Sequence, residues 1–214
     1  MNTDLDLIVL VADADAEWTV RTLLGQRTDS LGIRPLQYEV HRHPGRDPGV
    51  FKESPSFLSL YLRRARYSLV LLDREGSGHE HHLSAQQMEA DLEKRLQETG
   101  WLDDEGKPRT TVIVLEPELE TWVWSRSPHV PEALGLTSGE LEEVLGRFPT
   151  TPEGKPRRPK EALLAALRQS KRPHSARIFQ ELAKQVSLSS HERSFDKLRT
   201  TLQAWFPQRE GKGE

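Results

Sequence analysis

Acidic residues follow three apolar stretches of this chain without delay. Asp13, Asp15 and Glu17 come after Leu5–Val11, Asp73 and Glu75 after Tyr67–Leu72, and Glu116, Glu118 and Glu120 after Thr110–Leu115. Carboxylates gathered in one place repel each other and raise one another's pKa values. A hard divalent cation such as Mg2+ or Mn2+ removes that conflict, because it takes oxygen ligands and leaves room for water and phosphate oxygens. The chemistry such a cluster suits is phosphoryl chemistry, where a metal offsets charge growing on the phosphorus oxygens. The same acids also suit helix starts. Asp13, Asp15, Glu118 and Glu120 stand where helices are expected to begin, and capping and the helix dipole favour a carboxylate there by about 0.3–2 kcal/mol with no metal. Asp73-Arg74-Glu75 differs, since it ends a buried run and leads into the loop Gly76-Ser77-Gly78.

The elements that must position these acids are legible from periodicity. Leu5–Val11, Tyr67–Leu72 and Thr110–Leu115 are nearly unbroken apolar or β-branched runs, the pattern of strands buried on both faces. Leu36–Val40 alternates strictly and reads as a strand near an edge. Helical patterns separate them: Asp15 to Arg27, a helix opened by Ser54-Pro55, and Leu83 to Thr99 closed by Gly100. Strands alternating with helices predict an α/β fold, a mostly parallel, Rossmann-like sheet of about four strands covered by helices. In such a sheet every strand's carboxyl end lies along one rim, so the three acid groups become neighbours in space.

After Leu115 no further strand is expected. The remaining helices are predicted over Glu118–Ser125, Ser138–Phe148, Pro159–Ser170, Ser175–Val186, and from Ser189 or Ser190 to Phe206, with Ser189-x-x-Glu192 as a capping box. The division expected is an α/β domain over 1–130 and an all-helical C-terminal part over 131–214, packed on it. Pro149–Pro159 reads as a linker, and His41–Glu53, with its prolines and glycines, as a mobile loop.

The acid pattern resembles a Toprim-type domain, the α/β module of topoisomerases, primases and several nucleases. More narrowly, it is similar to the bacterial Toprim-related family called domain of unknown function 4276. The residues carrying the likeness are Asp13-Ala14-Asp15-Ala16-Glu17, Asp73-Arg74-Glu75-Gly76, Glu118-Leu119-Glu120-Thr121-Trp122 and Ser194-Phe195-Asp196-Lys197-Leu198. Departures from the family pattern include Asp13 for its leading glutamate and Ala14 for its glycine.

The resemblance implies that Asp73 and Glu75 bind the metal. Asp13 would be an acid/base or a further ligand, and Glu120 would complete or orient the site. Glu17, Asp15 and Glu118 would stand behind the ligands, and Arg74 would point to solvent. It further implies a Mg2+- or Mn2+-dependent nuclease acting on DNA or RNA, with partner proteins from an anti-phage defence operon. The alternative it implies is a binding or scaffolding subunit of a defence complex that kept the fold and lost the chemistry.

Charge divides along the chain. Residues 151–214 hold 14 Lys+Arg against 7 Asp+Glu, leaving 16 against 26 for residues 1–150. Within the basic half, Lys155, Arg157, Arg158 and Lys160 form the densest cluster and are the expected contacts to nucleic-acid phosphates. A solvated face explains the same charges equally simply.

Composition excludes several alternatives. Cysteine is absent, so disulfides, thiolate nucleophiles and Cys-ligated zinc are ruled out. Neither a Gly-Lys-Ser/Thr loop, a Gly-x-Gly-x-x-Gly turn nor a Gly-x-Ser-x-Gly elbow occurs. His79-Glu80-His81-His82 lacks the spacing that puts two imidazoles one helical turn apart. Trp122 and Trp124 stand two apart, so on a helix they would not share a face. No apolar run reaches the roughly 20 residues of a membrane span, and Met1–Asp6 lacks a signal-peptide pattern, so a cytoplasmic location is expected.

Overall fold

A computed structural model describes residues 3–124, 127–185 and 192–208. The first apolar run forms β1 (Leu5–Val11), followed by α1 (Ala14–Gln26), the short α2 (Thr28–Leu31), β2 (Tyr38–Arg42), α3 (Arg46–Ser59), β3 (Ala65–Asp73), α4 (Ala85–Glu98) and β4 (Thr110–Leu115). Beyond β4 lie a single 3-10 turn (Leu119–Trp122) and then α5 (His129–Leu134), α6 (Ser138–Leu145), α7 (Pro159–Gln169), α8 (Ala176–Gln185) and α9 (Arg193–Trp205). Residue 130, where the sequence suggested a boundary, falls inside α5. Among the described residues, no helix is long and apolar enough to cross a membrane.

The sheet is wholly parallel, in the order β2-β1-β3-β4. Strand residues alternate between two cores. Leu7, Val9, Leu69, Leu71 and Ile113 face the side covered by α1 and the C-terminal helices. Ile8, Leu10, Val70, Leu72, Val112 and Val114 face α3 and α4. Apolar contacts on both faces explain why the strand sequences are nearly unbroken hydrophobic runs.

Topology also fixes where a site must lie. From β1 the chain moves to β2 on one side, then crosses back to β3 and on to β4. Right-handed crossovers in opposite directions put α1 on one face and α3 and α4 on the other. The connections leaving β1 and β3 therefore part, opening a crevice at the carboxyl ends of these two neighbours.

As an edge strand, β4 presents backbone groups that no further strand among the described residues pairs. Side chains take that place. The Val112 and Val114 N–H groups donate to Glu93 Oε1 (3.0 Å) and Glu89 Oε1 (2.9 Å) of α4. The carbonyls of the same two residues accept from Lys197 (2.8 Å) and Arg193 (2.9 Å) of α9. The acids and bases are also paired with each other, Arg193 to Glu89 and Lys197 to both Glu89 and Glu93. This charged clamp blocks edge-to-edge association and ties α9 to the sheet.

Several local expectations need correction. The segment His41–Glu53 is not a mobile loop: β2 runs to Arg42 and α3 already begins at Arg46, so Pro55 lies inside the helix. Proline there removes the N–H that would bond the Phe51 carbonyl, and Arg95 of α4 supplies the missing donor at 2.9 Å. Pro149–Pro159 is no free linker either. It doubles back through a bridge between Thr150 and Pro156, with Thr151 N–H on the Lys155 carbonyl (2.7 Å) and Arg157 N–H on that of Pro149 (2.8 Å).

The helix expected over Glu118–Ser125 is only the 3-10 turn, and the last helix begins at Arg193 with Glu192 as its cap. Ser189 lies outside the described residues, as do Ser125 and Val186. Finally, α5 had no counterpart in the sequence reading, because its six residues are too few to show a period.

Candidate metal centre

Each strand delivers an acid to the same rim. Asp13 follows β1 as the cap of α1, its Oδ1 accepting the Ala16 N–H at 2.9 Å. Asp47 follows β2 in the first turn of α3. Asp73 is the last residue of β3. Glu118 and Glu120 follow β4, on the turn that leaves the sheet.

Hydrogen bonds lock these segments to one another. Asp73 donates its N–H to Asp47 Oδ1 (2.8 Å), and Asp73 Oδ1 accepts the Leu119 N–H (2.9 Å). The end of β3 is thereby fixed to α3 on one side and to the turn after β4 on the other. Two tryptophans anchor that turn to the C-terminal helices. Trp124 is buried and donates its indole N–H to the Pro159 carbonyl at 3.0 Å. Trp122 donates to Glu192 (2.9 Å) and Ser194 (2.8 Å) at the start of α9, and meets the Phe195 ring edge-on. Their divergent directions follow from the two-residue spacing. The Trp124 contact has a consequence for the site, since the residue after Pro159 is Lys160.

Asp73, Glu118 and Glu120 each offer a carboxylate oxygen within 4.8 Å of the other two, a group of the size that could hold a metal ion. Three carboxylates are a hard, all-oxygen donor set, which fits a divalent cation of the Mg2+ or Ca2+ type better than a soft one. Glu118 and Glu120 are buried, Glu120 to 3% exposure, whereas Asp73 is partly open to solvent.

The electrostatics reflect this crowding. Burial, then the charges of Asp47, Glu120, Asp13 and Glu118, push the Asp73 carboxyl well above the usual aspartate range. Burial pushes Glu120 up to about 7, with Lys160 opposing and Glu118 reinforcing the rise. Asp15 and Asp47 are raised by burial and by the neighbouring charge of Asp13. Burial also raises Glu118, against the attraction of Lys160. A pocket whose acids resist ionisation is one that a cation would stabilise.

One cation is built in. The Lys160 ammonium at the start of α7 stands 3.2 Å from Glu118 Oε2 and 3.8 Å from Glu120 Oε1, and the Lys160 backbone N–H donates to Glu118 Oε1 at 3.2 Å. Burial alone would lower the Lys160 pKa, but Glu120, Glu118 and Asp73 outweigh it and hold it above the ordinary lysine value. His174, ahead of α8, stands 3.4 Å from Asp15 Oδ2.

The sequence-derived site is therefore partly regrouped. Asp73 and Glu120 meet as expected, and Glu118 joins them directly instead of standing behind. Asp13 and Asp15 lie beside the group, close enough to raise their neighbours. Glu75 is exposed and outside it, because the chain turns away after Asp73 and Glu75 bonds through its N–H to the Pro117 carbonyl at 3.0 Å. Glu17 is engaged by Arg21 and Arg42, each at 2.8 Å. Arg74 does not point to solvent. Its guanidinium braces the following loop through the carbonyls of Leu83 (3.0 Å) and Glu80 (2.6 Å).

The basic cluster divides as well. Lys160 belongs to the acidic centre. Lys155 is half-buried, with its ammonium on the Thr121 carbonyl at 3.3 Å. Arg157 and Arg158 remain exposed next to it, Arg157 donating to the Thr150 carbonyl at 3.1 Å. Asp47 escaped the sequence reading because its segment looked like a loop. The available signal was that β2, like the other strands, ends on the rim with an acid shortly after it. Neither protein-family models, curated proteins nor solved structures yield a match to this chain.

Proposed function

We propose that the protein is a Toprim-like phosphodiesterase that uses Mg2+ or Mn2+ to cut DNA or RNA, and that it works with partner proteins in bacterial anti-phage defence. The observation that carries the metal reading is the convergence of Asp73, Glu118 and Glu120 within 4.8 Å at the carboxyl ends of β3 and β4. The nucleic-acid and defence parts rest on the resemblance of the acid motifs to the Toprim-related family.

Asp73, Glu118 and Glu120 would hold the ion. When bound, it would supply Lewis-acid relief of the charge that grows on phosphoryl oxygens. The remaining tasks belong to the chain. Glu120, whose buried carboxyl is raised to about 7 without metal, would be kept ionised by the cation it helps to hold. Asp13 stands beside Asp73 as a proton acceptor, held in place by the Ala16 N–H. The exposed Arg157 and Arg158 provide sequence-independent contacts for a phosphate backbone.

The test is a calorimetric titration with Mn2+, followed by cleavage assays on single- and double-stranded DNA and RNA. Mn2+ should bind the wild type and be lost in Asp73→Ala, and cleavage should require the metal. Metal binding without cleavage of any polymer would leave the scaffolding alternative, and equal Mn2+ binding by Asp73→Ala would remove the metal centre itself.

A further inference from the structure

The most unusual member of the acidic centre is its lysine. Lys160 arrives from α7, far along the chain, and its ammonium touches two of the three carboxylates that would hold an ion. An ammonium and a divalent cation competing for the same oxygens repel each other, so both do not fit comfortably in contact with Glu118 and Glu120.

The two halves of the residue are held differently. Its backbone is fixed, because its N–H bonds Glu118 Oε1 and the preceding Pro159 carbonyl is pinned by Trp124. Its side chain is 49% exposed and has a route outward to solvent. Metal entry therefore calls for rotation of one flexible side chain and leaves α7 where it is.

We propose that Lys160 is a tethered competitor for the metal: its ammonium neutralises Glu118 and Glu120 until a divalent ion displaces it, and so it sets the ion concentration at which the centre fills. The proposal rests on the metal reading above and adds regulation to it. The displaced ammonium stays on a short tether beside the centre, where it becomes available to an anionic substrate once the carboxylates are taken.

The test compares Mn2+ affinities of wild type, Lys160→Met and Lys160→Arg by calorimetry, with no substrate present. Lys160→Met keeps most of the length of the side chain and removes the charge, so it should bind Mn2+ more tightly, by about tenfold for the loss of one competing charge at a half-exposed position. Lys160→Arg keeps the charge and should stay near the wild-type value. Should Lys160→Met misfold, Lys160→Gln serves the same purpose, with folding checked by circular dichroism. Unchanged or weaker Mn2+ binding in the charge-removing variants, with clear binding by wild type, overturns the competition and leaves the metal centre standing. Absence of Mn2+ binding in all variants overturns both.

Discussion

Replacing Glu120 by glutamine should change how stability depends on pH in the metal-free protein. Glu120 is 3% exposed and its pKa rises from the ordinary 4.5 to about 7. Between these two values the folded protein holds the proton and the unfolded chain does not, so stability falls as pH rises through that window. At about 1.4 kcal/mol per pH unit, the rise corresponds to about 3 kcal/mol, absent below about pH 4.5 and complete above about pH 7.

Glutamine has nearly the same shape and no charge to bury. Lys160 retains its contact with Glu118 in that variant, so the ammonium is not stranded. Urea unfolding in the presence of a chelator, followed by tryptophan fluorescence at pH 5 and pH 8, measures the effect. The wild type should lose more stability between the two conditions than Glu120→Gln, by up to about 3 kcal/mol, the remaining slope coming from Asp73, Asp47, Asp15 and Glu118, which are raised as well. Saturating Mn2+ at pH 8 should recover the wild type more than the variant. Parallel pH profiles for the two proteins would refute the reasoning, because they would mean that Glu120 ionises in the folded state as easily as in water.

Two further outcomes separate site from scaffold. Glu75→Ala should bind Mn2+ within about threefold of wild type, since an exposed carboxylate outside the ligand group contributes only screened attraction; a loss as large as that in Asp73→Ala would return Glu75 to the ligand set. Glu89→Ala should cost about 3–5 kcal/mol in urea unfolding, because it removes the carboxylate partner of Arg193 and leaves the Val114 N–H unpaired at the sheet edge, while Lys197 keeps Glu93. A loss below about 1 kcal/mol would mean that water substitutes for the clamp.

The strands could be read because their chemistry is local. A run such as Thr110–Leu115, buried on both faces, is apolar at every position or β-branched, and its limits coincide with the observed β4. The rim of acids followed from the same pattern, given that parallel strands end together. What stayed hidden depends on contacts between distant segments. Pro55 looked like a helix start because proline is unfavourable inside a helix, and the donor that replaces its missing N–H, the guanidinium of Arg95, comes from a distant segment. Glu118 looked like a cap because it precedes a helical turn, yet its side chain makes no capping bond and turns to Lys160 instead.

Lys160 shows the limit most clearly. In sequence it ends the basic stretch Lys155-Pro156-Arg157-Arg158-Pro159-Lys160, whose composition reads as solvent-facing charge. Its place is decided by the fold-back of Thr150–Pro156 and by the Trp124 indole on Pro159, neither of which is basic. The α/β half thus supplies negative charge from every strand end, and the helical half supplies the cation that keeps that charge tolerable in the absence of metal. A chain cut after β4 would retain Asp13, Asp47 and Asp73 but lose Glu118, Glu120 and their counter-charge together. The C-terminal helices are for this reason part of the centre's chemistry as well as its cover.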